Sequence, residues 1–496
     1  NLLVGSTAQH AWGATALGID QADLFRLSVD SSGHPGEYQL DGVWYPWDVE
    51  EAETILVAGG DPVLTTYREC YFGPVVTEIV TDVYPREEYA AKLVPLDDPA
   101  ADALAGFVSM YRAVDLGAFA AGLAGVRWPS FNSVFASAEG SVGYWANGAS
   151  PLRSTASPLG GRIAQEGGSL LYDWLDIVPH DLMPWVIAPA DGYVLSANHM
   201  PVGEWYPIPV AFGNGSLGDS SRSRRVRELL AAQSSFTPGD VLAVHHDTVQ
   251  PARRDLAELG LFLRDVQTSW PLSNAAQSAL AHLEAWWDSG AEMTAEHYAV
   301  ALAWFLNMQF RQEQWPTLVE EFGGGDAGLQ YFLKTKIAQI HERPAIALDA
   351  DEATYVDWNL AQAWTAVTNP QTGAGAPSNW AAWFETSVLT LQLPKWTSLE
   401  GFPSLEPGTT ITTGPLTCTD SGTILSQHGQ TYSQDVQPGS TDSALSILPL
   451  GISEHDGDLH QLDQQALWET EAFHGSPMTY GGTLALGPWT LQFLEY

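Results

Sequence analysis

Asp20 and Asp23 place two carboxylates three residues apart in AWGATALGIDQADLF, residues 11–25. Unpaired, they repel each other. Around a hard cation both become ligands, because calcium takes six to eight oxygens, mostly carboxylates and main-chain carbonyls. The same pair reads equally well as the acidic first turn of a helix leading into Leu24 and Phe25. A second candidate is Asn198 in YVLSANHMPVG, residues 193–203. A neutral amide N–H at a strand end is a good oxyanion donor when it faces a cleft; the competing reading is a cap on the turn before Pro201. His199 invites a catalytic triad, but no G-x-S-x-G elbow and no matched aspartate accompany it, so it reads as a structural histidine. His428 reads the same way. Arg222, Arg224 and Arg225 either orient polar groups or line a solvated helix face. The 20 tryptophans are spread along the chain, which fits core and rim aromatics better than a sugar-binding groove. Glycoside hydrolysis needs two facing carboxylates, and the sequence nominates no such pair.

The elements that must hold these residues follow from periodicity. Residues 38–47 (YQLDGVWYPW) alternate around an Asp-Gly turn, and 53–67 give two β-rich runs split by Gly-Gly-Asp-Pro. Residues 98–125 read as helical, opening on Asp-Pro and closing on Gly125. Residues 133–148 read as a hairpin, 160–184 as loop, and 192–201 as a strand ending on polar residues. A basic amphipathic helix starts at 221, helical period dominates 252–392, and strands return from about 408. The expected organisation is a β-rich first part over 1–220, a mainly helical insertion over 221–400, and strands over 401–496 that rejoin the first sheets.

Composition narrows the partners. The 496 residues carry 59 acidic against 20 basic groups, a net charge of −39 that repels nucleic acid and anionic membrane surfaces. Such a shell suits a secreted acidic protein or one from a high-salt environment. No apolar run reaches the roughly 20 residues needed to span a bilayer. Two cysteines, Cys70 and Cys418, are too few for a disulfide scaffold and form no zinc motif; one long-range disulfide or two separate thiols are both open.

Taken in order, the segments resemble the β-subunit of penicillin acylases, which are N-terminal-nucleophile hydrolases. AWGATALGIDQADLF is similar to the family's AWG-T-x-x-x-D-x-x-D-L, and GVWYPW with EAETILV to its G-x-W strand and the next one. FGPVVTE is similar to HGPV, SVFASAEGSVGYWANGASPLR to Y-A-D-x-x-G-x-I-G-Y-x-x-x-G-x-x-P-x-R, and YVLSANHMPVG to A-x-A-N-N-x-P-V-G. LEAWWDSGAEM, SQHGQTY and LPLGISEHDGDLHQLDQQALW resemble L-x-x-W-D-G-x-M, T-H-G-x-S-Y and the closing L-P-x-G-x-S segment.

The resemblance implies an α+β fold, a four-layer αββα sandwich with a helical insertion. It implies an amide hydrolase whose nucleophile is an N-terminal serine and whose base is that serine's own α-amino group. The Ala16 N–H and the Asn198 amide would hold the oxyanion, with Arg222 near the terminal amine. The family's serine falls ahead of the position matched by Asn1, so the nucleophile is expected outside this sequence; an Asn1 amide has no lone pair suited to attack. A structural calcium would take Asp20, Asp23, the Ala22 carbonyl and the Pro151 carbonyl. Val210 replaces a further family aspartate, and another carboxylate would come from a separate α-subunit. The implied substrates are small N-acyl amides such as acyl-homoserine lactones or β-lactam side-chain amides, handled in an extracellular or periplasmic setting. The alternative is a catalytically inactive binding or surface-structural protein on the same fold.

Overall fold

The computed structural model describes residues 3–77, 87–97, 103–203, 205–208, 210, 221–247, 249–266, 270–292, 298–312, 325–344, 347–369, 416–418, 424–426, 432–440, 442–448, 451–453, 458–469, 472–477 and 479–486. The chain divides into two units, Asn1–Asn214 and Gly215–Tyr496.

The first unit is β-rich. In chain order its strands are β1 (Gly5–Ser6), β2 (His10–Ala16), β3 (Ala22–Val29), β4 (Glu37–Leu40), β5 (Val43–Pro46), β6 (Val49–Ile55), β7 (Val63–Cys70), β8 (Gly73–Pro74) and β9 (Glu88–Leu93). Helices α1 (Ala103–Arg112) and α2 (Leu116–Ala124) follow. Then come β10 (Phe131–Ser137), β11 (Val142–Asn147), β12 (Pro151–Arg153), β13 (Gln165–Glu166), β14 (Trp174–Ile177) and β15 (Trp185–Ile187). One five-stranded sheet has the order β1-β2-β10-β11-β15; a second runs β13-β3-β4-β5, with β9 also paired to β3.

The β10–β11 hairpin is the one expected over 133–148, with Phe131 opposite Asn147 and Ala136 opposite Val142. One face of the first sheet buries Trp12, Phe131, Phe135 and Trp145 against Phe107 and Met110 of α1 and Phe119 of α2. The other face buries Leu17, Ile19, Tyr144 and Val210. The central strands β10 and β11 are thus covered on both sides, and their buried residues lie on both faces. The helical stretch at 98–125 breaks at Ala113–Asp115: Asp115 caps α2 by accepting from the Ala118 N–H at 2.7 Å. Gly122 lets the two helices touch, since a Cβ there would lie 2.7 Å from the Met110 nitrogen.

The β4–β5 hairpin turns on Asp41 and Gly42, with φ of 47° and 80°, the left-handed pair of a type I′ two-residue loop. Two sequence readings are corrected in this unit. Residues 22–29 are strand β3 and not a helix start; Asp23, Phe25 and Leu27 alternate inward, and a strand buries that period-two set where a helix would scatter it. Residues 192–201 join no ladder; Asn198 turns out of the extended region with φ of 60°.

The second unit holds helices α3 (Ser221–Ala231), α4 (Pro238–His245), α5 (Pro251–Asp265), α6 (Asn274–Asp288), α7 (Ala299–Gln312), α8 (Gly325–Glu342) and α9 (Ala350–Thr368). Leu259, Leu283, Trp286, Leu302, Phe332 and Leu360 meet in its core. Capping boxes at Thr237–Asp240 and Asp349–Glu352 start α4 and α9. Strands β16 (Leu416–Cys418) and β17 (Ile424–Ser426) pair with each other, as do β18 (Ser433–Asp435), β19 (Leu445–Ile447) and β20 (His474–Gly475). His428 lies outside the described residues.

Candidate active site at the end of strand β2

Ala16 ends β2 and is exposed, opposite Phe131 of β10. The Ala138 N–H donates to the Gln9 carbonyl, so the odd residues of β2 are those that bond to β10. The Thr7 N–H donates to the His10 carbonyl on the other side, where described β1 reaches only as far as Trp12. Among the described residues the Ala16 N–H therefore stands outside both ladders. The half-buried Asn198 meets this strand end: its Nδ2 donates to the Ala16 carbonyl at 2.9 Å. An amide nitrogen carries two hydrogens, and this bond uses one of them and orients the group against the strand end. Asn tolerates the left-handed backbone at 198 better than other chiral residues, which suits the position.

Residues that sequence reading missed surround the pair. Asn132 of β10, fully buried, donates from Nδ2 to the Ala16 carbonyl at 3.1 Å and to Thr15 Oγ1 at 3.2 Å. The Tyr144 hydroxyl donates to Asn132 Oδ1 at 2.5 Å, and burial pushes this phenol far above its ordinary value. Thr15 Oγ1 and Ser196 Oγ lie 2.6 Å apart, a second tie between β2 and the 196–198 turn. The signal for Asn132 was a polar residue on the Val134 face of β10, the face that packs on the apolar cluster of Leu17 and Tyr144. His199 accepts a long 3.4 Å bond from the Ala197 N–H within its own turn, in keeping with the structural reading.

Five residues on from Thr15 the chain crosses between sheets at Asp20. Asp20, Ala22 and Asp23 do converge, and the group they converge on is the guanidinium of Arg153. Its Nε donates to Asp23 Oδ2 at 2.8 Å, and its Nη2 lies 3.1 Å from Asp20 Oδ2, 3.2 Å from the Asp20 carbonyl and 3.5 Å from the Ala22 carbonyl. Trp174 Nε1 also donates to Asp23 Oδ2. Burial pushes both carboxyls above their ordinary range, and the Arg153 charge pulls them back. Pro151 opens the same short strand, opposite Ile177. As placed, Asp23 Oδ2, Asp20 Oδ2 and the Asp20 and Ala22 carbonyls are taken up by the arginine, while Asp23 Oδ1 is buried with no hydrogen-bond partner among the described residues. Among the described residues no group of three or more His, Cys, Asp or Glu stands where a metal ion could sit. Next to this cluster Lys92 and Asp173 form a buried pair at 2.7 Å, with the Tyr71 hydroxyl on the other Asp173 oxygen at 2.9 Å.

Arg222 lies in the first turn of α3, exposed, in the second unit. Its neighbours on that helix are engaged there: Arg224 with Asp255, and Arg225 with Asp247 at 2.6 Å and Glu228 at 3.2 Å. Cys70 is a free, buried thiol. No described helix is long and apolar enough to cross a membrane.

Comparison with known proteins completes the site's context. The chain is 25% identical over 367 residues to Penicillin acylase 2 proenzyme of Pseudomonas sp. (strain SE83), covering 70% of this chain and 44% of that protein. It is 24% identical over 273 residues to an acyl-homoserine lactone acylase of Pseudomonas aeruginosa, covering 54% of this chain and 30% of that protein. It is 27% identical over 270 residues to Penicillin G acylase of Escherichia coli, again covering 54% and 30%. The chain thus spans less than half the length of these curated relatives. Among solved structures, the thermostable penicillin G acylase of Alcaligenes faecalis superposes with a TM-score of 0.70 at 17% identity, covering 100% of this chain and 90% of that one. The α+β fold of an N-terminal-nucleophile hydrolase is thereby borne out. The penicillin amidase family model matches residues 1–481, and the chain belongs to that family.

Proposed function

We propose that this chain is the larger part of a heterodimeric amide hydrolase that cleaves a small N-acyl amide, working with a separate α-subunit that builds part of the acyl pocket. The observation that carries this reading is the Asn198 amide held at 2.9 Å from the exposed end of β2, beside a main-chain N–H that stands outside both ladders among the described residues. Family membership supports the reaction class. In the reaction, the hydroxyl of an N-terminal serine outside this sequence attacks the scissile carbonyl carbon, and its α-amino group takes the proton. The carbonyl oxygen becomes an oxyanion, met by the Asn198 amide and the Ala16 N–H. Collapse breaks the C–N bond, the amine leaves with the proton returned from the ammonium, and water cleaves the acyl ester in a second round. Arg222 is proposed to help hold the terminal amine. An extracellular or periplasmic site of action is part of the same proposal.

The test uses the full precursor, expressed with the coding sequence upstream of Asn1, and a panel of N-acyl amides spanning acyl-homoserine lactones and penicillins. Release of primary amine from one of these classes is expected. A processed, folded protein that binds the panel without releasing amine would refute the hydrolase and favour the binding protein on the same fold.

A further inference from the structure

We propose that the Arg153 guanidinium is the resident cation of the Asp20–Asp23 pair, so that this site is held together by an arginine and works without calcium. The placement argues for it first. The Arg153 side chain is only 8% exposed and Asp23 only 1%, and one planar fork spans both carboxylates and the two main-chain carbonyls between them. A calcium ion would have to displace that buried side chain to take Asp23 Oδ2, Asp20 Oδ2 and the two carbonyls as ligands. The charge argues next: Arg153 sits on the pair, and the positive charge of Arg162 also bears on Asp20. A third observation is independent of Arg153. Val210, which stands where the family resemblance puts a carboxylate, is buried in the apolar cluster of Leu17, Ile19 and Tyr144. One oxygen is left over, Asp23 Oδ1, which is buried with no hydrogen-bond partner. Calcium needs six or more oxygens, and this one leftover carboxylate oxygen falls short of that number. The Gly161 backbone, with φ of 94°, packs against the fork so closely that a Cβ there would lie 2.2 Å from Arg153 Nε.

The consequence is positional. Arg153 ties the crossing that follows Ala16 to β12, 130 residues further on in the sequence for Asp23. Without it, the buried Asp23 and half-buried Asp20 would face each other with only the Arg162 charge bearing on Asp20.

Thermal melts and calcium binding test this on the purified protein with all its polypeptides. Wild-type protein should melt at the same temperature in EDTA and in millimolar calcium, and carry no calcium at this pair after dialysis. Arg153→Ala should melt lower in EDTA and recover with millimolar calcium, because removing the guanidinium frees the oxygens for a metal that stabilises only the folded state. Arg153→Lys, a second variant, should keep part of the stability and stay indifferent to calcium. The proposal is overturned if wild-type protein takes up a calcium that Asp20→Asn removes, or if Arg153→Ala in EDTA is as stable as wild type.

Discussion

Replacing Asn132 with leucine should expose how the end of β2 is held. Asn132 is fully buried, and the substitution keeps its size while deleting three hydrogen bonds, to Thr15, to Ala16 and from Tyr144. Two partners keep another bond: Thr15 Oγ1 still has Ser196 Oγ, and the Ala16 carbonyl still has Asn198. The Tyr144 hydroxyl loses its acceptor. One buried hydroxyl left unsatisfied costs about 1–3 kcal/mol, so Asn132→Leu should destabilise by about 2 kcal/mol. For a unit of this size that lowers Tm by about 4–8 °C, at roughly 2–4 °C per kcal/mol. Tyr144→Phe should destabilise as well, by leaving Asn132 Oδ1 without its donor. The double variant removes both partners and should be more stable than the sum of the singles predicts, by about 1–3 kcal/mol. Thermal and urea melts of the four proteins close the cycle. Strict additivity would refute the view that this bond carries the cost. In the hydrolysis assay the double variant should lose kcat with KM little changed, because the Ala16 carbonyl is then held by Asn198 alone.

Two further outcomes follow from buried titrating groups. His10 and His180 are both pushed below the ordinary histidine value, chiefly by burial. Between those lowered values and about 6.5 the unfolded chain binds protons that the folded chain does not, so stability is full above about pH 6.5 and falls on acidification. Each such proton contributes a slope of at most about 1.4 kcal/mol per pH unit, and melts of His10→Phe from pH 7 to 5 should show a shallower decline than wild type. The Cys70 thiol is pushed up to about 11 by burial, so in native protein at pH 8 it should react with thiol reagents only as fast as the unit opens, and promptly in denaturant; a fast native reaction would contradict its placement.

Much of this architecture could be read from local pattern. Asp41-Gly42 announced its hairpin because a left-handed pair closes a two-residue loop with the right twist, and Gly125 ended α2 where a helix stop was expected. Other stretches misled for equally local reasons. The run at 192–201 has strand composition but no partner among the described strands, and composition does not report pairing. The Asp20–Asp23 spacing was legible as a place for positive charge, yet not as a place for Arg153, whose distance along the chain hides it from any periodicity. Asn132 and Tyr144 sit on neighbouring strands, so their bond depends on a register that turn chemistry sets only indirectly.

The central claim is that Asn198 and Ala16 hold the same developing negative charge. It is tested most directly by kcat of Asn198→Gly, which keeps the left-handed backbone at φ of 60° while removing the amide. Loss of one oxyanion donor should lower kcat by about 10²–10³ with KM changed far less. A kcat within a few-fold of wild type would contradict the account.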